Sequence, residues 1–425
     1  MTNAETAAQA PVAVIGYGTA GVNALIGLRN GGYTGPVDMF SNIEGLPYSP
    51  ILTSYYAGGE KTREQCFPWT AEELAELGAN VREACPVTKL DTKAHLVCTP
   101  QGEFPYSKCV IASGSRPVPV GFPKAEGFDP MGLRTMDDAQ RLKDVLEDER
   151  CRKVLMSGAS MVALKTLESC LNCGKQATLV GMNQHVLDFN ALPEAAERFE
   201  RGLRSYGVEL RLGMTAKELE VIEGPGIDGK QYRVTFSNGD VDTFDAIAVA
   251  HGMRSNLEFL EEGALEMDRA ILVDEHMRSS DPDVYAAGDV AQALELISGE
   301  RRIVGIWKNA AVQGQCAGAA IAAEMSGRTP GDDIAYKGAI PTNTICVKDT
   351  LFISAGTMQL SDEHYVETRE TDDMIVMYIW QREEGGRRLV GFNIACDHDE
   401  AGSVAYDTGA MLSLQIERGC REAAR

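Results

Sequence analysis

The stretch "PVAVIGYGTAGVNALIGLRNGG", residues 11–32, constrains this chain's fold more than any other. An apolar run of strand length leads into Gly16-Tyr17-Gly18-Thr19-Ala20-Gly21, and a helix-period apolar pattern follows until Gly31 and Gly32. Each glycine has a physical task. The first allows a tight turn, the second lets backbone approach a pyrophosphate, and the third lets helix and strand pack closely. The helix start offers free N–H groups and the positive end of its dipole to phosphate. A bare GxGxxG is a weak signal, but a strand before it and a helix after it make a strong one. An acid about 20 residues on usually takes a ribose hydroxyl. That position falls near Asn42 in "PVDMFSNIEGLPYSP", with Glu44 two residues further. Asn42 can hydrogen-bond a hydroxyl; Glu44 reads equally well as a ligand of the ribose or as a solvated loop carboxylate.

Three further pieces have the same strand-into-turn form. "KCVIASGSRPVP" runs a strand into Ala112, Ser113, Gly114 and Arg116. "DAIAVAHGMRSN" ends a strand at Gly252. "RSSDPDVYAAGDVAQ" ends one at Gly288 and Asp289. In this order and spacing, "VIGYGTAG", "VIASGSRP", "AIAVAHGMRSN" and "VYAAGDV" resemble the FAD-dependent pyridine nucleotide-disulfide oxidoreductase superfamily over about residues 11–325.

The resemblance implies an α/β fold: two Rossmann-like, three-layer ββα nucleotide-binding domains plus a smaller α+β C-terminal domain. It divides the chain into a discontinuous FAD domain (1–118 and 246–325), an inserted NAD(P)H-type domain (119–245) and a C-terminal interface domain (326–425). It implies that Gly16, Gly18, Thr19, Ala20 and Gly21 grip the FAD pyrophosphate. It puts Gly288 and Asp289 on the ribityl and pyrophosphate side, and Ala112–Arg116 beside the cofactor. "GIWKNAAVQGQCAGAAIAAEM" resembles the helix whose start faces the flavin pyrimidine, which makes Trp307 a candidate flavin neighbour.

Redox-active cysteines separate the branches of this superfamily. None occurs in "GVNALIGLRNGG" or in "SNIEGLPYSPILTSYYAGG", where thiol-using branches carry theirs. The segment is instead similar to the ferredoxin and rubredoxin reductase branch, through Pro47, Tyr48, Pro50, Leu52 and Thr53. Some members place a lysine near the flavin just after this turn; Ser54 stands nearest here. Cys170 and Cys173 have CxxC spacing, but they end an apolar helical stripe and read as buried hydrophobes.

The second nucleotide turn departs from its pattern. In "VLMSGASMVALKTLE", Gly158 keeps the tight turn and Ala163 suits the third place, but Ser160 holds the middle position. Lys165 stands where NADH-using relatives often have a glutamate. The following strand ends at Gly181, and Gly181 and Asn183 do not reproduce an acid's charge; His185 can approach a phosphate or hydroxyl, but a lone loop histidine is more often structural or exposed. NAD(P)H binding is therefore left open.

The chain has 425 residues, enough for two or three domains. Its net charge of -22 argues against nucleic-acid and anionic-membrane partners. The start has no signal-peptide pattern and no apolar run reaches membrane length, so a cytoplasmic protein is expected. Eleven cysteines without framework spacing imply reduced thiols, and no histidine–cysteine zinc spacing is present. An electron-carrier protein or a larger redox complex is the expected partner. Arg301, Arg302 and Lys308, or Arg382, Arg387 and Arg388, are candidate basic contacts for it. Monomer and homodimer both fit.

The preferred reading is an FAD oxidoreductase passing electrons from NAD(P)H to a partner or small acceptor. Hydride transfer requires no side-chain acid or base, so no catalytic residue is assigned. The alternatives are a flavoprotein subunit that does not use NAD(P)H, and a non-enzymatic flavin scaffold or sensor.

Overall fold

The computed structural model describes residues 10–118, 121–397 and 402–423. It divides into two compact units: residues 1–49, 67–116 and 254–339, and residues 50–66, 117–253 and 340–425.

The first unit is built on a five-stranded parallel sheet. Its order is Val284–Ala286, Cys109–Ile111, Val12–Ile15, Val37–Phe40, Asn80–Arg82. The four strands before the last are buried at every position, as expected of strands covered on both faces. The chain runs outward in both directions from Val12–Ile15, so a topological switch point lies between it and Cys109–Ile111.

A helical layer packs on this sheet, made of Thr19–Asn30 and Trp307–Met325. The two helices cross at backbone distance. A Cβ on Gly314 would run into the Ala20 carbonyl, one on Gly318 into that of Ala24, and one on Gly27 into that of Gln315. The ascending pairing makes the helices parallel, with both N-termini at one end. A three-stranded antiparallel sheet (Lys89–Asp91, Leu96–Thr99, Gly102–Pro105) forms the third layer, and Phe104 packs edge-on against Phe40 at 5.5 Å.

The second unit repeats this plan on a four-stranded parallel sheet. Its order is Glu209–Leu212, Gln176–Gly181, Lys153–Ser157, Ala246–Val249. Helices Met161–Asn172 and Pro193–Ser205 accompany it, with an antiparallel sheet of Ala216–Glu223, Lys230–Phe236 and Val241–Phe244. The same unit holds a five-stranded antiparallel sheet spanning Thr342–Val347 to Gly386–Cys396, followed by the helix Gly402–Ala423. These are the two three-layer ββα modules and the α+β C-terminal element expected from the sequence.

The C-terminal region, from 340 on, groups with the second module. So does the segment 50–66. The Ser169 hydroxyl donates to the Ser54 carbonyl at 2.9 Å, and the Lys165 ammonium lies over the Tyr55 ring at 4.1 Å. Among the described residues, no helix is long and apolar enough to cross a membrane.

Candidate functional site

In the first unit, four turns leave the carboxyl ends of adjacent parallel strands. They are Gly16–Gly21, the loop from Ser41, Ala112–Arg116 and the Gly288-Asp289 step. Parallel α/β sheets bind ligands at this edge.

The three glycines of the first turn are required for different reasons. Gly16 has φ +114°, and a Cβ there would collide with the Ala112 carbonyl oxygen. A Cβ on Gly21 would collide with the Gly16 carbonyl oxygen. Gly18 is different, because a Cβ there meets nothing within 4 Å. No protein atom forbids a side chain at Gly18, so the open space in front of it is a cradle that a side chain would fill. Gly18 is also the N-cap of Thr19–Asn30, where no side chain caps the helix and no acid lies in the first turn. The first N–H groups of that helix therefore remain for an external acceptor.

The Trp307 helix begins in the same way. Its N-cap Ile306 has no capping side chain, and its first turn has no acid. Trp307 stacks on Trp69 with ring centroids 6.3 Å apart and 27° between planes. The Trp307 Nε1 atom is buried and meets no acceptor among the described residues. A buried indole N–H usually has a partner. Two uncapped, parallel helix starts and an orphaned indole donor fit an anionic, hydrogen-bond-accepting cofactor such as FAD.

The remaining turns are braced against one another. Asp289 is half-buried, and Ser115 Oγ donates to its Oδ2 at 2.6 Å. Gly288 (φ +82°) donates its N–H to the buried Gln313 side chain at 2.8 Å. The Ser113 hydroxyl donates to the Asn256 carbonyl at 2.7 Å, and Asn256 Nδ2 donates to the Ser113 carbonyl at 2.9 Å. Arg116 bonds Asn256 Oδ1 at 3.0 Å and ion-pairs with Glu258. Thr19 and Ala20 begin the first helix. Asn42 and Glu44 are exposed in the loop after the second strand, and neither side chain has a hydrogen bond among the described residues. Ser54 lies in the second unit, 4% exposed, with its Oγ near the Ile51 carbonyl at 3.4 Å.

In the second unit Gly158 has φ +120°, and a Cβ would collide with the Ala250 carbonyl. The turn is therefore formed. Ser160 is the N-cap of Met161–Asn172, and its Oγ accepts from the Ala163 N–H at 3.4 Å. The serine thus occupies one of the donors that a pyrophosphate would use. Ala163 is fully buried beneath it. Gly181 packs against the turn: a Cβ there would sit 2.9 Å from the Ala159 Cβ. His185 Nδ1 lies 3.2 Å from the buried Glu200 carboxylate. Lys165 is ion-paired with Glu168.

A profile of the pyridine nucleotide-disulphide oxidoreductases matches residues 10–314, nearly three quarters of the chain. The chain belongs to this family. It is therefore an oxidoreductase, and FAD and NAD(P)H are its cofactors. The NADH-dependent phenylglyoxylate dehydrogenase subunit epsilon of Aromatoleum evansii is 26% identical, over 84% of this chain and 81% of that protein. The rubredoxin-NAD(+) reductase of Pseudomonas putida is 27% identical, over 73% of this chain and 79% of that one. Among solved structures, the covalent putidaredoxin reductase–putidaredoxin complex has the same fold: TM-score 0.81, 21% identity, covering 96% of this chain and 93% of that chain.

Cys170 lies buried near the end of Met161–Asn172, and Cys173 is the C-cap of that helix. All eleven cysteines are free. Cys170 is 1% exposed and bonds the Thr166 carbonyl, and burial pushes its thiol far above the ordinary range. Burial likewise raises Cys173 and Cys66, and lifts Cys151 to about 11. A thiol held in its neutral form is neither a nucleophile nor a ready electron donor.

Proposed function

We propose that this chain is an FAD flavoprotein reductase that takes electrons from a reduced nicotinamide nucleotide and delivers them to a separate redox partner. The observation that carries this reading is the meeting of four strand-end turns at one sheet edge, with Gly18 open and two parallel helix starts uncapped. When bound, the two nucleotides supply hydride transfer between nicotinamide and flavin.

The chain's own residues bind and orient. The N–H groups at Thr19–Gly21 take the pyrophosphate, with Gly16 and Gly21 holding the turn shape. Asp289, positioned by Ser115, accepts from hydroxyls of the ribityl chain. Trp307 Nε1 donates to an acceptor on the cofactor, and the dipole of its helix favours the negative charge of the reduced state. Gly158, Ser160 and Ala163 form the nicotinamide-nucleotide turn. The matching division is an FAD domain of 1–118 and 246–325, a nucleotide domain of 119–245, and a C-terminal interface domain of 326–425.

The rubredoxin-NAD(+) reductase and putidaredoxin reductase relatives support a small electron-carrier protein as acceptor. Of the two basic clusters, the C-terminal one is engaged within its own sheet: Arg387 stacks on Trp380 at 4.0 Å and pairs with Glu367, and Arg388 pairs with Glu383. Arg301 and Lys308 are exposed and carry no ion pair among the described residues, which favours that patch for an acidic carrier. A second reading has another subunit as acceptor, because the Aromatoleum relative is itself a subunit. Release of FAD on heating, and anaerobic reduction of the bound flavin by NADH or NADPH, test the proposal.

A further inference from the structure

We infer that His251, braced by Ser157, binds the nicotinamide half of the dinucleotide in the second unit. The inference rests on reading Gly158–Ala163 as the nicotinamide-nucleotide turn.

In the second unit's parallel sheet, Gln176–Gly181 and Glu209–Leu212 lie on one side of Lys153–Ser157, and Ala246–Val249 lies on the other. The strand order reverses between Lys153–Ser157 and Ala246–Val249. A dinucleotide lies across such a crevice at the carboxyl ends of the strands. The Gly158 turn and the strand end at Gly181 belong to one bank, which takes the pyrophosphate and the adenosine end. The opposite bank is the turn that leaves Ala246–Val249, and it begins Ala250-His251-Gly252.

The first unit has the same corner, and comparing the two isolates what is special here. A Cβ on Gly16 would strike the Ala112 carbonyl, and one on Gly158 would strike the Ala250 carbonyl. Ala250 thus corresponds to Ala112, His251 to Ser113, and Gly252 (φ +129°) to Gly114 (φ +68°). By the same step Ser157 corresponds to Ile15, each directly before its glycine. Ile15 is buried in the apolar core of its unit. Ser157 is equally buried, at 3% exposure, but its Oγ shares a hydrogen bond with His251 Nε2 at 2.8 Å.

Leu155, two residues earlier on the same strand face, packs in an apolar cluster with Phe122 and Val249. An aliphatic side chain at 157 would extend that cluster, so the serine forgoes apolar burial. What it gains is an imidazole held in place at the crevice. His251 is half-buried, and its ring centroid lies 6.1 Å from that of Phe122. An imidazole hydrogen-bonds ribose hydroxyls and phosphate oxygens alike. Ser160 takes one helix N–H away from the pyrophosphate on the first bank. His251 supplies a polar contact on the second.

Equilibrium titration of the oxidised holoprotein reads this without turnover. The probes are NAD(+), or NADP(+) if that binds more tightly, and AMP, which has only the adenosine end. His251→Ala is expected to weaken the dinucleotide about 10-fold, as for a lost hydrogen bond, with AMP affinity, FAD content and melting temperature unchanged. Ser157→Ala keeps the ring but removes its brace, and should weaken the dinucleotide by about 3-fold. In the unaltered protein, the dinucleotide should slow modification of His251 by diethyl pyrocarbonate, read by mass spectrometry of its peptide, and AMP should not. That measurement stands even where a variant fails to fold. Unchanged dinucleotide affinity in a folded His251→Ala, an equal loss for AMP, or modification that the dinucleotide does not slow overturns the inference alone. If the unaltered protein binds no nucleotide and neither NADH nor NADPH reduces the flavin, the nucleotide reading of the Gly158 turn falls with it.

Discussion

The Ser115 hydroxyl donates to Asp289 Oδ2 at 2.6 Å and so ties together the turns after two neighbouring strands of the parallel sheet. The bond orients one carboxylate oxygen and fixes the other relative to the Gly16–Gly21 turn. Asp289→Asn is expected to weaken FAD retention about 10-fold or more, in line with the loss of charge-assisted bonds to hydroxyls. Ser115→Ala should weaken it less, because the carboxylate remains. The ratio of bound flavin to protein after gel filtration measures both.

Gly16 and Gly18 should fail in opposite ways. Gly16→Ala places a Cβ on the Ala112 carbonyl at φ +114°, so it should destabilise the fold by ~1–3 kcal/mol or more from the backbone strain alone. Gly18→Ala meets no protein atom within 4 Å. The apoprotein should therefore melt within a degree or two of the unaltered one while losing affinity for FAD. A large drop in apoprotein stability for Gly18→Ala would show that its glycine serves packing and not a ligand.

Ser160 caps its helix through the Ala163 N–H. Replacing an N-cap serine by glycine costs only a few tenths of a kcal/mol. Ser160→Gly should thus leave the melting temperature almost unchanged, free that N–H, and speed flavin reduction by the nucleotide severalfold. An unchanged rate in rapid mixing would clear Ser160 of obstructing the site.

The Cys170–Cys173 pair should be silent. Burial holds Cys170 in its thiol form at neutral pH, so its modification by a disulfide reagent at pH 8 should proceed only after denaturation. A double serine variant should keep its rate of flavin reduction. Loss of that rate with the fold intact would restore a redox role to the pair.

Much of this was legible in the sequence because glycines at fixed offsets leave a strong local signature. "GYGTAG", "VIASGSRP" and "VYAAGDV" each end a buried parallel strand, as their apolar runs require. What was not legible depends on residues far apart. The segment 50–66 is held by long-range contacts such as the Ser169-to-Ser54 bond, which spans 115 positions. Gly181 looked like a missing acid, but its cause is the Ala159 Cβ. Ser160 caps a helix donor, which its place in the turn pattern does not reveal. The stacking of Trp69 on Trp307 joins residues whose spacing has no periodicity to betray it.

The central claim is that this chain passes electrons from a nicotinamide nucleotide into a bound flavin. Anaerobic stopped-flow mixing of the purified yellow protein with NADH, followed at the visible flavin maximum, tests it most directly. Rapid bleaching with NADH or with NADPH is the expected result. A flavin that stays oxidised with both nucleotides, yet bleaches with dithionite, would contradict the account.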